Sequence, residues 1–302
     1  MDRGEIVVGV DGSAESDAAV AWAVTEARAR GCGLHILHCC ESRYYGLWTT
    51  TRTLRDGLRA LARPLVEDAL ELADKLDAQV PVRGGVIVAP PARALVRLSA
   101  RAPLVVVGRS GRGAISHLLL GSVARHVLAA ADCPAVSVGR RAPGIPPDAP
   151  TRVVAAVVRP ASHERTLHLA FGEAQLHRVP LRVVTALPGA DAAGASALRG
   201  LAGALIPWQE QYPTVRVTTS TTVGSLADTL KTLCTAQDLL VLGHHRPGQH
   251  GPDRLGARIT SAMHAVDCPI AVAHEPAAAT AAEPAWRNAE ALPALNNPGR
   301  EP

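Results

Sequence analysis

Four residues carry the strongest chemical signal in the chain. Gly108, Gly111, Gly121 and Ser122 read Gly-x2-Gly-x9-Gly-Ser directly after the apolar run Leu104 to Val107. A β-branched run without polar alternation is how a strand covered on both faces reads, so a strand is predicted to end at Gly108. Glycine lets the backbone adopt positive φ and approach a ligand with no Cβ in the way, and successive N–H groups in such a turn form an anion-binding nest. An apolar helical pattern (Val123, Val127, Leu128) opens immediately after Ser122. Gly121 and Ser122 would then add amides, a hydroxyl at the N-cap and the positive end of a helix dipole to the same anion. Phosphate binding is the chemistry implied. For Gly108 to Gly113 alone, a loop that merely turns the chain is the simpler alternative. The order Gly108-x-x-Gly111-x-Gly113 is not the Gly-x-Gly-x-x-Gly dinucleotide fingerprint, and no Gly-Lys-Ser/Thr follows as in a P-loop.

The elements that must position this loop alternate between strand and helix. Glu5 to Val10 reads as a strand, and Asp11-Gly12-Ser13 turns it into a helix from Ala14 to Arg30 that Ser13 can cap and Gly31 can end. Asp11 either faces a ligand or only stabilises the helix start. Leu34 to Cys39 is the second strand. A loop from Glu41 to Arg52 follows with Tyr44, Tyr45 and Trp48, suited to a lid over a ligand or to a partner contact. A helix from Thr53 to Leu76, a strand from Val82 to Val88 and a helix opened by Pro90-Pro91-Ala92 complete the approach to the glycine loop. Asp132-Cys133-Pro134 leads into a last strand at Ala135 to Val138.

The loop spacing, the stretch IVVGVDGSAESDAAVAWA from Ile6 to Ala23 and Asp132-Cys133-Pro134 together resemble the universal stress protein family. That resemblance implies an α/β fold of Rossmann-like type, a five-stranded parallel sheet with helices on both faces, and ATP as the ligand, with or without Mg. It implies that Val10, Cys39 and Val107 wall the base, with Cys39 standing in the second position of the family's His-Val pair. Asp11 would face the base and ribose, while Gly108, Gly111, Gly121, Ser122 and Val123 gather around the phosphates. No catalytic residue and no metal ligand is assigned; slow ATP hydrolysis or self-phosphorylation is the most the resemblance allows. A stress-response regulator or sensor is the leading reading. A nucleotide-free interaction scaffold is the alternative, and an adenylylating enzyme of the related α/β group a more distant one. Such enzymes carry a Ser-Gly-Gly-x-Asp-Ser type loop where this chain has Val10-Asp11-Gly12-Ser13. Family members usually carry glycine where Ala89 stands, a departure that concerns a turn.

Composition narrows the field. Apolar residues are 47% of the 302 residues but aromatics only 3%, so the cores must be built from Val, Leu and Ala between helices and sheet. The net charge is +4 with both signs interspersed, which does not support nucleic acid as a partner. No apolar run reaches the ~20 residues of a membrane span and the start is no signal peptide, so a cytoplasmic protein is expected. The six cysteines lack C-x-x-C pairs and read as reduced thiols. Cys32, His35, His38 and Cys39 do not make a zinc site, because period 2 sends positions 35 and 38 to opposite faces.

The second half repeats the first. Gly108 maps to Gly243, Gly121 to Gly256 and Asp132-Cys133-Pro134 to Asp267-Cys268-Pro269, all with a shift of 135, while Ile6 to Asp11 aligns with Val154 to Arg159 at a shift of 148. Two tandem domains follow: 1–141, a proline-rich linker at 142–150, a degenerate copy at 151–275, and a tail at 276–302 expected to be disordered. Gly111 becomes Arg246, Ser122 becomes Ala257 and Asp11 becomes Arg159. The second copy is therefore expected to lose the ATP site, unless the two arginines form a new anion site. The last strands, Ala135 to Val138 and Ile270 to Ala273, are edges that need cover, which predicts a pseudo-dimer of the two halves within the chain, and a homodimer as an option. A regulatory protein partner is implied but not identified.

Overall fold

The structure, a computed structural model, describes residues 4–41, 52–111, 120–140, 149–157, 163–187, 192–244 and 255–274. The aromatic loop, Gly113, Arg159, Arg246, most of the linker and the tail lie outside them.

The first half runs β1 (Glu5–Val10), α1 (Ala14–Arg30), β2 (Gly33–Cys40), α2 (Arg52–Leu76), β3 (Val82–Val88), α3 (Pro91–Ser99), β4 (Val105–Gly108), α4 (Ser122–Ala130) and β5 (Ala135–Val138). The second half follows the same order: β6 (Arg152–Val157), α5 (His163–His177), β7 (Leu181–Leu187), α6 (Ala192–Gln211), β8 (Val217–Val223), α7 (Leu226–Leu233), β9 (Asp238–His244), α8 (Ala257–Ala265) and β10 (Ile270–His274). The strands form one continuous sheet in the order β3-β2-β1-β4-β5-β10-β9-β6-β7-β8. All neighbours are parallel except β5 and β10, which pair antiparallel with Val136 opposite Ala271. The two edges thus cover each other, and each half keeps the parallel five-strand order of an open α/β sheet.

Alternation along the strands divides the core into two layers. Ile6, Val8, Leu34, Ile36 and Val106 pack with α1, α2, α5 and α6 on one face. Val7, Leu37, Val105 and Val107 pack with α3, α4, α7 and α8 on the other. Burial on both faces is why β1 and β4 read as unbroken apolar runs.

Strand pairing corrects the repeat alignment. Val7 lies opposite Val105 and Val154 opposite Leu240, so a shift of 135 between β4 and β9 demands 147, not 148, between β1 and β6. In the sequence the shift of 147 aligns Asp11 with Val158 instead of Arg159, and both of these lie outside the described residues. The slip went unseen because both strands are apolar runs with no internal landmark. With the shift of 147, Glu26 and Arg30 of α1 correspond to Glu173 and His177 of α5, and these four side chains meet across the joint. Arg30 Nε donates to Glu26 at 2.7 Å and its guanidinium also pairs with Glu173, while His177 Nε2 lies 2.9 Å from Glu26. Glu26, Glu173 and His177 converge closely enough to hold a metal ion. Arg30 occupies both carboxylates, however, and the two glutamates hold the His177 imidazole protonated, with its pKa raised to about 9 despite burial. The cluster is thereby a buried polar network in which burial and the Glu26 charge raise the Glu173 pKa, against the opposing pull of His177 and Arg30.

Candidate functional site

Two turns converge at the carboxyl ends of β1 and β4. After Val10 the chain makes an Asx turn: Asp11 Oδ1 accepts from the Ser13 amide at 3.0 Å and from Ser13 Oγ at 2.6 Å. Ser13 in turn caps α1 by accepting from the Ser16 amide at 3.2 Å, and Gly12 takes φ 74° between them. The helix-start reading of Asp11 is thus what the structure shows. Its Oδ1 orders the helix start, and its Oδ2 lies toward Gly111.

The glycine loop is close-packed onto this turn, and that is what its glycines are for. A Cβ at Gly111 would stand 2.4 Å from Asp11 Oδ2, and one at Gly108 would stand 2.9 Å from the Glu15 carbonyl carbon and 3.0 Å from the Ser16 nitrogen. Neither glycine has positive φ; among the described glycines that conformation belongs to Gly4, Gly12, Gly31 and Gly224. The expectation of a left-handed turn at Gly108 and Gly111 is therefore corrected: close approach, not φ, excludes a side chain. The loop is closed by the Gly121 amide donating to the Arg109 carbonyl at 2.8 Å, while the Arg109 amide donates to Val138 in β5 at 2.7 Å.

Ser122 was expected to cap α4. Instead Gly121 is the N-cap, in extended conformation at φ −60° and ψ 152°, and Ser122 is the first helical residue. No side chain caps α4, whereas Ser13 caps α1. Of the α1 and α4 starts, α4 is the one without a side-chain cap, and α3, whose Pro91 also reaches the cavity, has none either.

A cavity of about 210 Å³ lies between these turns, and all nine residues singled out from the sequence line it: Val10, Asp11, Cys39, Val107, Gly108, Gly111, Gly121, Ser122 and Val123. Val10 and Val107 are buried, and burial pushes the Cys39 thiol up to about 12, so it meets a ligand as a neutral, apolar group. His38 Nδ1 lies 2.8 Å from the Val10 carbonyl and ties β2 to the end of β1. The second half repeats this tie as Thr185 Oγ1 to the Val157 carbonyl at the same distance.

Sequence reasoning missed Leu37, Leu95, Pro91, Ser16 and Ser110, which also line the cavity. Ser110 was detectable, since it stands inside the motif. Leu95 comes from α3 and carries no local signal; it occupies the space where a Cβ at Gly9 would stand 2.8 Å from its Cδ1. Arg109 was missed for the opposite reason. It reads as a variable position of the motif, yet its buried guanidinium crosses to the second half and donates to the Val266 and Cys268 carbonyls, both at 2.6 Å. Val266 is the C-cap of α8, so the cation also meets the negative end of a helix dipole. A second, larger cavity of about 460 Å³ lies against α2, lined by Asp17 and Asp68 with Leu61, Ala62 and Leu65. Burial raises the Asp17 pKa, helped by the charges of Asp11 and Asp68. Its two carboxylates make this cavity unsuited to phosphate.

Comparison with known proteins agrees with the fold. A model of the universal stress protein family matches residues 3–139. A universal stress protein of Mycobacterium tuberculosis is 30% identical over 294 residues, covering 89% of this chain and 97% of the relative. Another from the same organism is 29% identical over 286 residues, covering 89% and 96%. The crystal structure of a universal stress protein from Archaeoglobus fulgidus covers 91% of this chain and 97% of its own, with a TM-score of 0.67 at 16% identity, a likeness of fold. Among the described residues no helix is long and apolar enough to cross a membrane.

Proposed function

The chain belongs to the universal stress protein family, and from that premise we propose that it is a cytoplasmic stress-response regulator or sensor that binds one ATP in its first half. The observation that carries this reading is the cradle between Asp11 and the glycine loop, which a single Cβ at Gly111 would fill. Backbone that must come this close to a carboxylate, beside a helix start without a side-chain cap, suits a ligand with hydroxyls at one end and phosphates at the other. Val10, Val107, Leu37 and Cys39 wall the adenine. Asp11 Oδ2 accepts from the ribose, and the amides of Gly108 to Gly111 and of the first turn of α4 donate to the phosphates. Mg, where present, rides with the phosphates.

The second half keeps Gly243 and Gly256 but in the sequence aligns valine with Asp11, alanine with Ser122 and arginine with Gly111. It serves as the built-in partner of a pseudo-dimer, joined through β5 and β10. Among the described residues that line the cavity, no basic or acidic pair is spaced as a catalytic set. Mass spectrometry of the nucleotide released from purified full-length protein tests the reading: adenine nucleotide in near-stoichiometric amount is expected, and protein that neither carries nor takes up ATP would favour the nucleotide-free scaffold.

A further inference from the structure

Arg109 stands in the glycine loop without lining the cavity, although Gly108, Ser110 and Gly111 on either side of it do. Its backbone is fixed within the first half. The amide donates to the Val138 carbonyl at 2.7 Å and the carbonyl accepts from the Gly121 amide at 2.8 Å, so residue 109 joins β5, the loop and the start of α4. Its buried guanidinium leaves the first half and donates to the Val266 and Cys268 carbonyls, both at 2.6 Å. These carbonyls lie between α8 and β10, beside the antiparallel pairing of β5 with β10.

The second half reaches back to α4. His274 Nε2, at the end of β10, lies 2.8 Å from the Leu128 carbonyl of α4, and both residues are buried. A carbonyl only accepts, so the imidazole carries its proton at Nε2. The glycine loop and α4, whose amides border the cavity, are thus each tied to the second half by a buried hydrogen bond. The repeat separates these ties from what the fold alone requires. At the shift of 135, Arg109 corresponds to His244 and His274 to Gly139. His244 and His274 pack edge to face with ring centroids 6.0 Å apart, whereas Gly139 leaves its side-chain space to Arg109, whose Cζ would stand 3.3 Å from a Cβ there. The forked cation belongs to the loop of the half that lines the cavity.

We propose, resting on the ATP reading above, that Arg109 and His274 are positioning residues through which the second half holds the nucleotide site of the first, so that the site is incomplete without its built-in partner. Amides that donate to phosphates bind best when they already point inward, and any freedom left in the loop weakens binding when it is lost. A guanidinium forked between two buried carbonyls removes that freedom at residue 109, and His274 does the same for the body of α4. By linkage the grip runs both ways: ATP in the first half also steadies Val266 to Cys268 in the second.

The test titrates full-length native and Arg109→Met proteins with ATP and with adenosine, by calorimetry at a temperature where both are folded. A displaced loop weakens what the phosphates feel, so Arg109→Met is expected to bind ATP about tenfold more weakly and adenosine within about twofold of the native value. His274→Phe, which takes the donor from Leu128, is expected to shift ATP affinity in the same direction. A lower melting temperature with unchanged ATP affinity, or equal losses for ATP and adenosine, overturns the proposal. Native protein that takes up no ATP instead defeats the nucleotide reading, and this inference with it. Where Arg109→Met does not fold, hydrogen exchange in the native chain decides: ATP is expected to slow the amides of the segment from Val266 to Ile270, and protection confined to the first half overturns the proposal.

Discussion

Gly111→Ala puts the smallest possible side chain into the cradle. Its Cβ would stand 2.4 Å from Asp11 Oδ2, so loop and carboxylate must separate by about 1 Å to reach an ordinary contact. Asp11 cannot yield without cost, because its Oδ1 holds both the Ser13 amide and the Ser13 hydroxyl. Displacing it forfeits a hydrogen bond to a charged group, ~1.5–3 kcal/mol, and removes the ribose acceptor from its position. At about 1.4 kcal/mol per tenfold, ATP affinity falls by roughly 10- to 100-fold. Gly121→Ala is the matched control: its Cβ meets the Arg109 carbonyl at 3.4 Å, an ordinary contact, and affinity stays within about threefold. Both variants are titrated with ATP by calorimetry after circular dichroism confirms folding. A folded Gly111→Ala protein with unchanged affinity would refute the argument that Asp11 and the loop form one site.

Three further outcomes follow from the geometry. Arg109→Met leaves two buried carbonyls without their donor and lowers stability by ~2 kcal/mol, and Arg109→Lys does not restore it because an ammonium cannot fork between them; an unchanged melting temperature in either would show the link between halves to be idle. His177 has its folded pKa raised from 6.5 to about 9, so its contribution is fully present below pH 6.5 and is lost as pH rises through 9. Thermal melts should fall between pH 6.5 and about 9 in the native chain and much less in His177→Gln; equal slopes would remove the network from the account. Asp11→Ala weakens ATP binding and also frays α1, so its melting temperature drops where that of Ser122→Ala, a residue that caps nothing, does not.

How far the sequence could be read depended on whether a feature was local. Ser13 as a cap, Gly31 as a left-handed C-cap at φ 62° and the strands at both edges of the joint were legible because a single residue or a short pattern dictates each. The nine cavity residues were legible because the family resemblance assigned them, whereas the spacing of Gly108, Gly111, Gly121 and Ser122 alone marked only the loop. The reason for the glycines was not, since the contact of Gly111 with Asp11 spans a hundred residues of chain. Glu26, Arg30, Glu173 and His177 looked like helix surface, and only the antiparallel pairing of β5 with β10 brings them together. Ser122 looked like a cap because its type fits, but the extended conformation at Gly121 moved the helix start by one residue.

Calorimetric titration of ATP into the full-length chain tests the central claim most directly. One saturable site per chain is predicted, abolished or severely weakened by Gly111→Ala. No saturable binding, or two equal sites per chain, would contradict it.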